Sequence, residues 1–364
     1  MAETSTVIGL TTMCSVNSTF TNSSKMTCLY SGVSTNIGIA ILSVSFIIGL
    51  PGNAFVIWTM LTQMKKRTVT CVLILHLAVA DIIVLLTAPF FLHVLSTGSW
   101  IFGNIFCKMC FYICSLTMYT SVFLIMLMSI DRFLAVTQPF TSQKLRTTQI
   151  VRVMIALIWV LASLLSCAIF FYQGEARCNG HLQCRPMHPS PNHMVFQYTF
   201  EILNGFVIPF TIIVSCYVFI GLRLRTARFP TKQKTSRLII MIIVMFALFW
   251  LPYQIVNMLQ VSGEIFSSPS LTTAALLARP NVIAFAFLSS SANPILYVFA
   301  GGNFIKTAGV GFMAKLFEAT AFEVLSLRKI SQALRQRSRT ESVELDKCVK
   351  EAEQNKSTLP NQTD

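Results

Sequence analysis

Charged residues stand at several places where a charge is expensive, inside or at the rim of long apolar stretches: Asp81, Glu201, Arg279 and the pair Asp131-Arg132. A carboxylate at Asp81, set among Ala, Val and Ile, costs at least ~2.5 kcal/mol to hold in hydrocarbon and so demands partners. Two chemistries meet that demand: a protonated, hydrogen-bonded structural acid, or a cation or proton site that responds to conformation. Asn53, Ser121, Ser289, Ser290, Ser291 and Asn293, at comparable depth on other apolar stretches, offer oxygens to a small hard cation beside it. Glu201 is flanked by apolar residues, and Arg279 is its candidate counterpart. Asp131-Arg132 closes a further stretch, where the acid can hold the arginine in one orientation; an arginine snorkelling at a membrane interface is the plainer account. Turnover chemistry is not expected, because the chain carries no His-Glu-x-x-His, Gly-x-Ser-x-Gly or phosphate-loop pattern.

The elements that position these groups must be membrane spans. The chain is 54% hydrophobic and 12% charged, where a soluble domain carries about 25% charged residues. About 20 apolar residues cross a ~30 Å hydrocarbon core as a helix. Seven stretches qualify, at 37–61, 71–96, 105–136, 150–172, 195–225, 236–261 and 277–300. The expected fold class is therefore an all-α membrane protein, a seven-transmembrane helix bundle. Paired, Gly-interrupted spans or inverted repeats, which would point to a transporter, are not evident.

Charge orients the bundle. Lys and Arg number 28 against 14 Asp and Glu. Lys65, Lys66 and Arg67, then Lys144, Arg146 and Arg152, then Arg223 to Arg237 punctuate alternate loops, so those loops are cytoplasmic and the amino terminus is outside. Basic residues placed between apolar runs of membrane length are not the charged stripe of a nucleic-acid binder. No cleaved signal peptide is evident, so the first span is expected to insert itself. Asn17-Ser18-Thr19 and Asn22-Ser23-Ser24 are glycosylation acceptors on the tail placed outside. Pro51, Pro89, Pro209, Pro252 and Pro294 fall inside spans, where each removes a helical hydrogen bond and favours a kink.

Of 11 cysteines, Cys14, Cys28, Cys178 and Cys184 fall in segments placed outside, with Cys107 at the outer end of the third span. An oxidising exterior favours bridging there, and one bridge should tie the third span to the loop between the fourth and fifth. A zinc site at Cys178, His181, Cys184 and His188 has a spacing that matches no tight finger and competes with that bridging.

Gly52-Asn53, Leu77-Ala78-Val79-Ala80-Asp81, Asp131-Arg132-Phe133, Trp159, Phe249-Trp250-Leu251-Pro252 and Asn293-Pro294-Ile295-Leu296-Tyr297 follow in order on the seven spans. Together they resemble the rhodopsin-like class of G-protein-coupled receptors over roughly residues 37–320. Leu86 to His93, Ser142 to Thr147, Phe287 to Ser291 and Ala308 to Phe312 are similar to the leukotriene B4 receptor subfamily within it. His188-Pro189-Ser190-Pro191 is closer to the second of its two subtypes, the other segments to the first.

The resemblance implies a lipid agonist with a carboxylate, two hydroxyls and a long polyene, held between the outer halves of the helices. Glu201, Asn257 and Arg279 match the family's polar contacts, Arg279 as carboxylate partner, with His93, Met118, Tyr119, Trp250 and Tyr253 on the pocket wall. Phe111 and Gln173 depart from it, standing where high-affinity members carry a histidine and an arginine; a related oxidised fatty acid is then a second candidate agonist. Asp81, Ser121, Ser289 and Asn293 match the family's allosteric sodium pocket, and no other cofactor is implied. Asp131, Arg132, Tyr217 and Tyr297 match its G-protein switch. The bridge is taken as Cys107 with Cys184.

The partners implied are a heterotrimeric G protein of the inhibitory class, arrestin, receptor kinases and membrane lipids, in a plasma-membrane receptor of leukocyte chemotaxis and inflammation. A light sensor of this fold would need a lysine in the seventh span, which residues 281–300 lack. A chemoattractant-peptide receptor is the runner-up, and it would favour more acidic outer loops. The chain thus divides into a glycosylated tail at 1–36, the bundle at 37–302, an amphipathic membrane-surface eighth helix at 303–318 and a disordered cytoplasmic tail at 319–364 with phosphorylation candidates Ser331, Ser338, Thr340 and Ser342.

Overall fold

The computed structural model describes residues 32–64, 68–138, 141–142, 145, 147–178, 180–226 and 234–300. Asn17, Asn22, Cys14, Cys28, the eighth helix and the carboxyl tail lie outside them, as does the side chain of Tyr297. The seven expected spans form as helices long and apolar enough to cross a membrane: Thr35–Gln63, Val69–Thr97, Asn104–Thr137, Gln149–Tyr172, Pro191–Leu222, Ile243–Ile265 and Pro269–Leu296. The seventh helix starts eight residues before the sequence-based boundary, because its first turns are written in Pro, Ser and Thr rather than in apolar residues. A further proline, Pro280, lies inside it in addition to Pro294.

Local chemistry explains where the helices break. The second span opens with the Thr68 hydroxyl accepting from the Cys71 amide. It breaks at Leu86 and Thr87, ahead of Pro89, and the Thr87 hydroxyl donates to the Val84 carbonyl at 2.7 Å. The second segment, Ala88–Thr97, ends at Gly98 with φ 71°, a left-handed position natural to glycine. In the fifth span a wide turn, Leu203–Val207, precedes Pro209. Such widened turns take up the carbonyl that a proline leaves without its amide.

Packing is closest where side chains are smallest. A Cβ on Gly49 would fall 2.7 Å from Leu85 Cδ1 and 3.0 Å from Ser291 Cβ, and one on Gly52 would fall 2.7 Å from Pro294 Cβ. The first span therefore lies against the second and seventh at backbone distance, as small residues permit in a membrane. The third span is the central strut, lined on all sides by Met118, Val122, Leu124, Ile125 and Met128. The fourth is peripheral and exposes Leu157, Leu161 and Leu164 on one face, which only lipid can cover without cost.

Between the fourth and fifth spans an antiparallel hairpin pairs β1 (Gln173–Cys178) with β2 (His181–Pro186), Glu175 opposite Cys184. Its turn passes through Gly180 at φ 85°. The Cys107–Cys184 disulfide ties β2 to the start of the third span, so Cys184 is committed to sulfur and cannot complete the zinc set. The Trp100 amide donates to the Leu182 carbonyl at 2.7 Å, and its indole to Gly103 O at 3.0 Å. The hairpin is thus clamped over one end of the bundle; Arg132 lies toward the other.

Candidate functional site

A cavity of about 290 Å³ runs from beneath the hairpin into the bundle. Its mouth is lined by Gln183, Arg185 and Pro186, its middle by Tyr198, Glu201, Tyr253 and Arg279, and its floor by Trp250, Asp81, Ser121, Ser289 and Asn293. The rest of its wall is largely apolar, including Phe91, Phe111, Met118, Ile283 and Phe287. Aromatic contacts stiffen it: Phe91 meets Phe111 edge-on at 5.3 Å and Phe287 at 5.8 Å.

Arg279 is only 9% exposed. Its Nη1 donates to Asn257 Oδ1 at 3.1 Å and its Nη2 to Gln260 Oε1 at 2.7 Å. Both acceptors are on the sixth helix, and both are neutral amides. The guanidinium also lies 4.6 Å over the Tyr198 ring and 6.0 Å from that of Tyr253. Its Nε is buried without a hydrogen-bond partner. Glu201, the expected counterpart, lies within electrostatic reach of Tyr253, Arg279 and Asn257 but does not hold the guanidinium, whose hydrogen bonds go to the amides. The arginine is therefore oriented by neutral amides, with one donor left unpaired.

Asp81, 3% exposed, is treated differently. Asn293 Nδ2 donates to its Oδ2 at 2.8 Å, and Ser290 lies close enough to act on it. Asn53 Nδ2 reaches the Ser290 carbonyl at 2.8 Å, joining the first span to the same turn of the seventh. The Trp250 indole donates to Ser289 Oγ at 3.1 Å, and that hydroxyl donates to the Ala286 carbonyl at 2.8 Å. One polar chain thus links the aromatic at the cavity floor, on the sixth helix, to the turn of the seventh that holds Asp81. The oxygens of Asp81, Ser121, Ser289 and Asn293 around this floor make a hard donor set suited to an alkali cation.

Two expected wall residues stand back from the cavity. His93 turns to Phe102, its ring 5.3 Å away. Tyr119 is buried behind Met118, within 3.5 Å of the space a Cβ on Gly205 would take, and stacks near Phe123 at 6.0 Å. Asn257 acts through Arg279 and Glu201 rather than from the lining. At the far end Arg132, 3% exposed, donates from Nη2 to Thr70 Oγ1 at 2.9 Å. Tyr217 packs nearby with Val136 and Ile220.

Sequence reasoning missed Arg185, Tyr198 and Gln260. Gln260 stands four helical positions from Val256 and three from Asn257, on the face that Asn257 shares, and that spacing was the available signal. Arg185 lies in a polar loop, where an arginine carries no signal at all.

Residues 52–297 match the family described as "7 transmembrane receptor (rhodopsin family)". The leukotriene B4 receptor 1 of Mus musculus is 48% identical over 295 residues, covering 80% of this chain and 84% of that protein. The Homo sapiens receptor of that name is 46% identical over 298 residues, covering 80% and 85%. The Homo sapiens leukotriene B4 receptor 2 is 37% identical over 292 residues, covering 78% and 81%.

Proposed function

The chain belongs to the rhodopsin family of seven-transmembrane receptors, and from that premise we propose that it is a plasma-membrane receptor for leukotriene B4, with its hairpin end outside the cell. What carries the reading is Arg279: a buried guanidinium on the wall of a mostly apolar cavity, held by neutral partners and with its Nε unpaired. That arrangement suits a fatty acid, whose carboxylate takes the arginine while its polyene fills the apolar lining. Glu201, Tyr253 and Asn257 suit its hydroxyls. The higher identity with receptor 1 than with receptor 2 favours the first subtype. Phe111 and Gln173, both on the cavity wall, keep a related oxidised fatty acid as the second reading.

The same residues supply a route inward. Agonist drives a change only by binding the active arrangement better than the resting one. A ligand resting on Trp250 strains the indole bond to Ser289, and through it the turn of the seventh helix that holds Asp81. Bound sodium there would neutralise the buried carboxylate; Asp81, Ser121, Ser289 and Asn293 are the residues to hold it. At the inner end, release of Arg132 from Thr70, with Tyr217 and Tyr297 rearranging, would open the surface for an inhibitory-class G protein, and phosphorylation of the tail by receptor kinases would recruit arrestin. G protein and agonist then strengthen each other's binding.

The deciding experiment is a leukotriene B4 dose-response in cells expressing the chain, read as inhibition of cyclic AMP. A response at nanomolar agonist supports the reading. Silence with surface expression intact removes leukotriene B4 as the agonist.

A further inference from the structure

A second guanidinium reaches the cavity from outside the helix bundle. Arg185 follows Cys184 on β2 and lines the cavity mouth. Its backbone is fixed from three sides. The Cys107–Cys184 disulfide anchors the preceding residue, Gly174 pairs with Arg185 across the hairpin, and the Trp100 amide holds Leu182 O. Arg185 and Arg279 both act on the buried Tyr198 hydroxyl, from the hairpin and from the seventh helix respectively. Partial burial strips water from Arg185 and pulls its pKa below the ordinary arginine value, with Tyr198 opposing. A poorly hydrated cation gains more from an arriving anion than a solvated one.

We propose that Arg185 is a specificity residue, forming with Arg279 a pair of guanidiniums that line one cavity from two elements, the hairpin and the seventh helix, and select ligands with a free carboxylate. The proposal deepens the receptor reading above and rests on it. A carboxylate offers two oxygens, so one ligand group can satisfy both cations, each along its own direction. An ester or primary alcohol of the same chain keeps the apolar contacts and offers no charge to either.

The test compares leukotriene B4 with its methyl ester, in binding and in cyclic AMP inhibition, on the wild type, Arg185→Ala and Arg185→Lys. The expected result is that Arg185→Ala weakens the acid about tenfold, leaves the ester unchanged and so compresses the acid-to-ester ratio, while Arg185→Lys restores most of that ratio. An equal loss for acid and ester, or no loss for either, overturns the proposal. A wild type silent to leukotriene B4 despite surface expression would sink the receptor reading instead. Thermal stabilisation of the purified protein by arachidonic acid against its methyl ester then decides the proposal. Stabilisation by the acid alone, lost in Arg185→Ala, upholds it; equal stabilisation by both, or by neither, overturns it.

Discussion

Asp81 and Arg279 both bury a charge, yet their surroundings differ in kind. Asp81, at the cavity floor, is partnered by its own protein: Asn293 donates to it, Ser290 lies beside it, and Asn53 and Trp250 brace the turn that carries them. Arg279 is braced by Asn257 and Gln260 but leaves its buried Nε without a hydrogen-bond partner. A buried group whose partners come from a neighbouring helix depends on helix position; one with an unpaired donor has bonding capacity left for a ligand. On the function proposed above, the two ends of the cavity would take different tasks, a switch at the floor and recognition nearer the mouth.

The comparison breaks most sharply at Arg279. Arg279→Ala should weaken leukotriene B4 about a hundredfold, since it removes the buried cation and leaves the carboxylate to Arg185 alone. Arg279→Lys, which keeps the charge without the fork, should recover part of the loss. Radioligand competition on membranes with matched receptor amounts measures both. Equal affinities for all three receptors would show that the unpaired donor meets no ligand group.

The floor should respond to an ion rather than to the agonist's headgroup. Replacing sodium with choline at constant ionic strength should raise agonist affinity several-fold in the wild type, because the cation favours the resting arrangement. Asp81→Asn keeps an acceptor for Asn293 and removes the charge, so its agonist affinity should not change with sodium. Antagonist-competition curves in the two salts read this directly. A sodium response that survives Asp81→Asn places the ion elsewhere.

Much of this division was legible in the sequence. Span number followed from apolar length, and Asp81 with Asn293 and the serines announced themselves as polar groups in hydrocarbon, where each must find a partner. What sequence did not carry was rotation. Helices that are apolar nearly all round do not declare which side meets the cavity, so Tyr119 and His93 were expected on the wall and turned out to pack behind it. Nor did sequence carry pairing: Arg185 reaches the cavity only because β2 folds back along β1 and a disulfide holds it there. Polar helix starts were hidden for the opposite reason, as the early start at Pro269 illustrates.

The smallest expected effect sharpens the mouth of the cavity. His188 Nε2 lies 2.6 Å from Gln197 Oε1, its ring 5.2 Å from Tyr172 and 5.5 Å edge-on from Tyr198, the residue beneath Arg279. Burial pulls the His188 pKa below its ordinary 6.5; Arg279 and His193 push the same way, while the bond to Gln197 opposes them. The unfolded chain therefore takes up this proton at a higher pH than the folded one. The stability contributed by neutral His188 is full above about pH 6.5 and is lost as pH falls through the lower folded value. His188→Gln keeps a neutral hydrogen-bonding group opposite Gln197 and has no proton to gain. Thermal unfolding of the purified receptor between neutral and mildly acidic pH should show the wild type losing about 2 °C more than His188→Gln, every other titrating group cancelling between the two. Parallel losses would mean that His188 takes its proton at no cost to the fold, and that its packing against Tyr198 does not depend on charge.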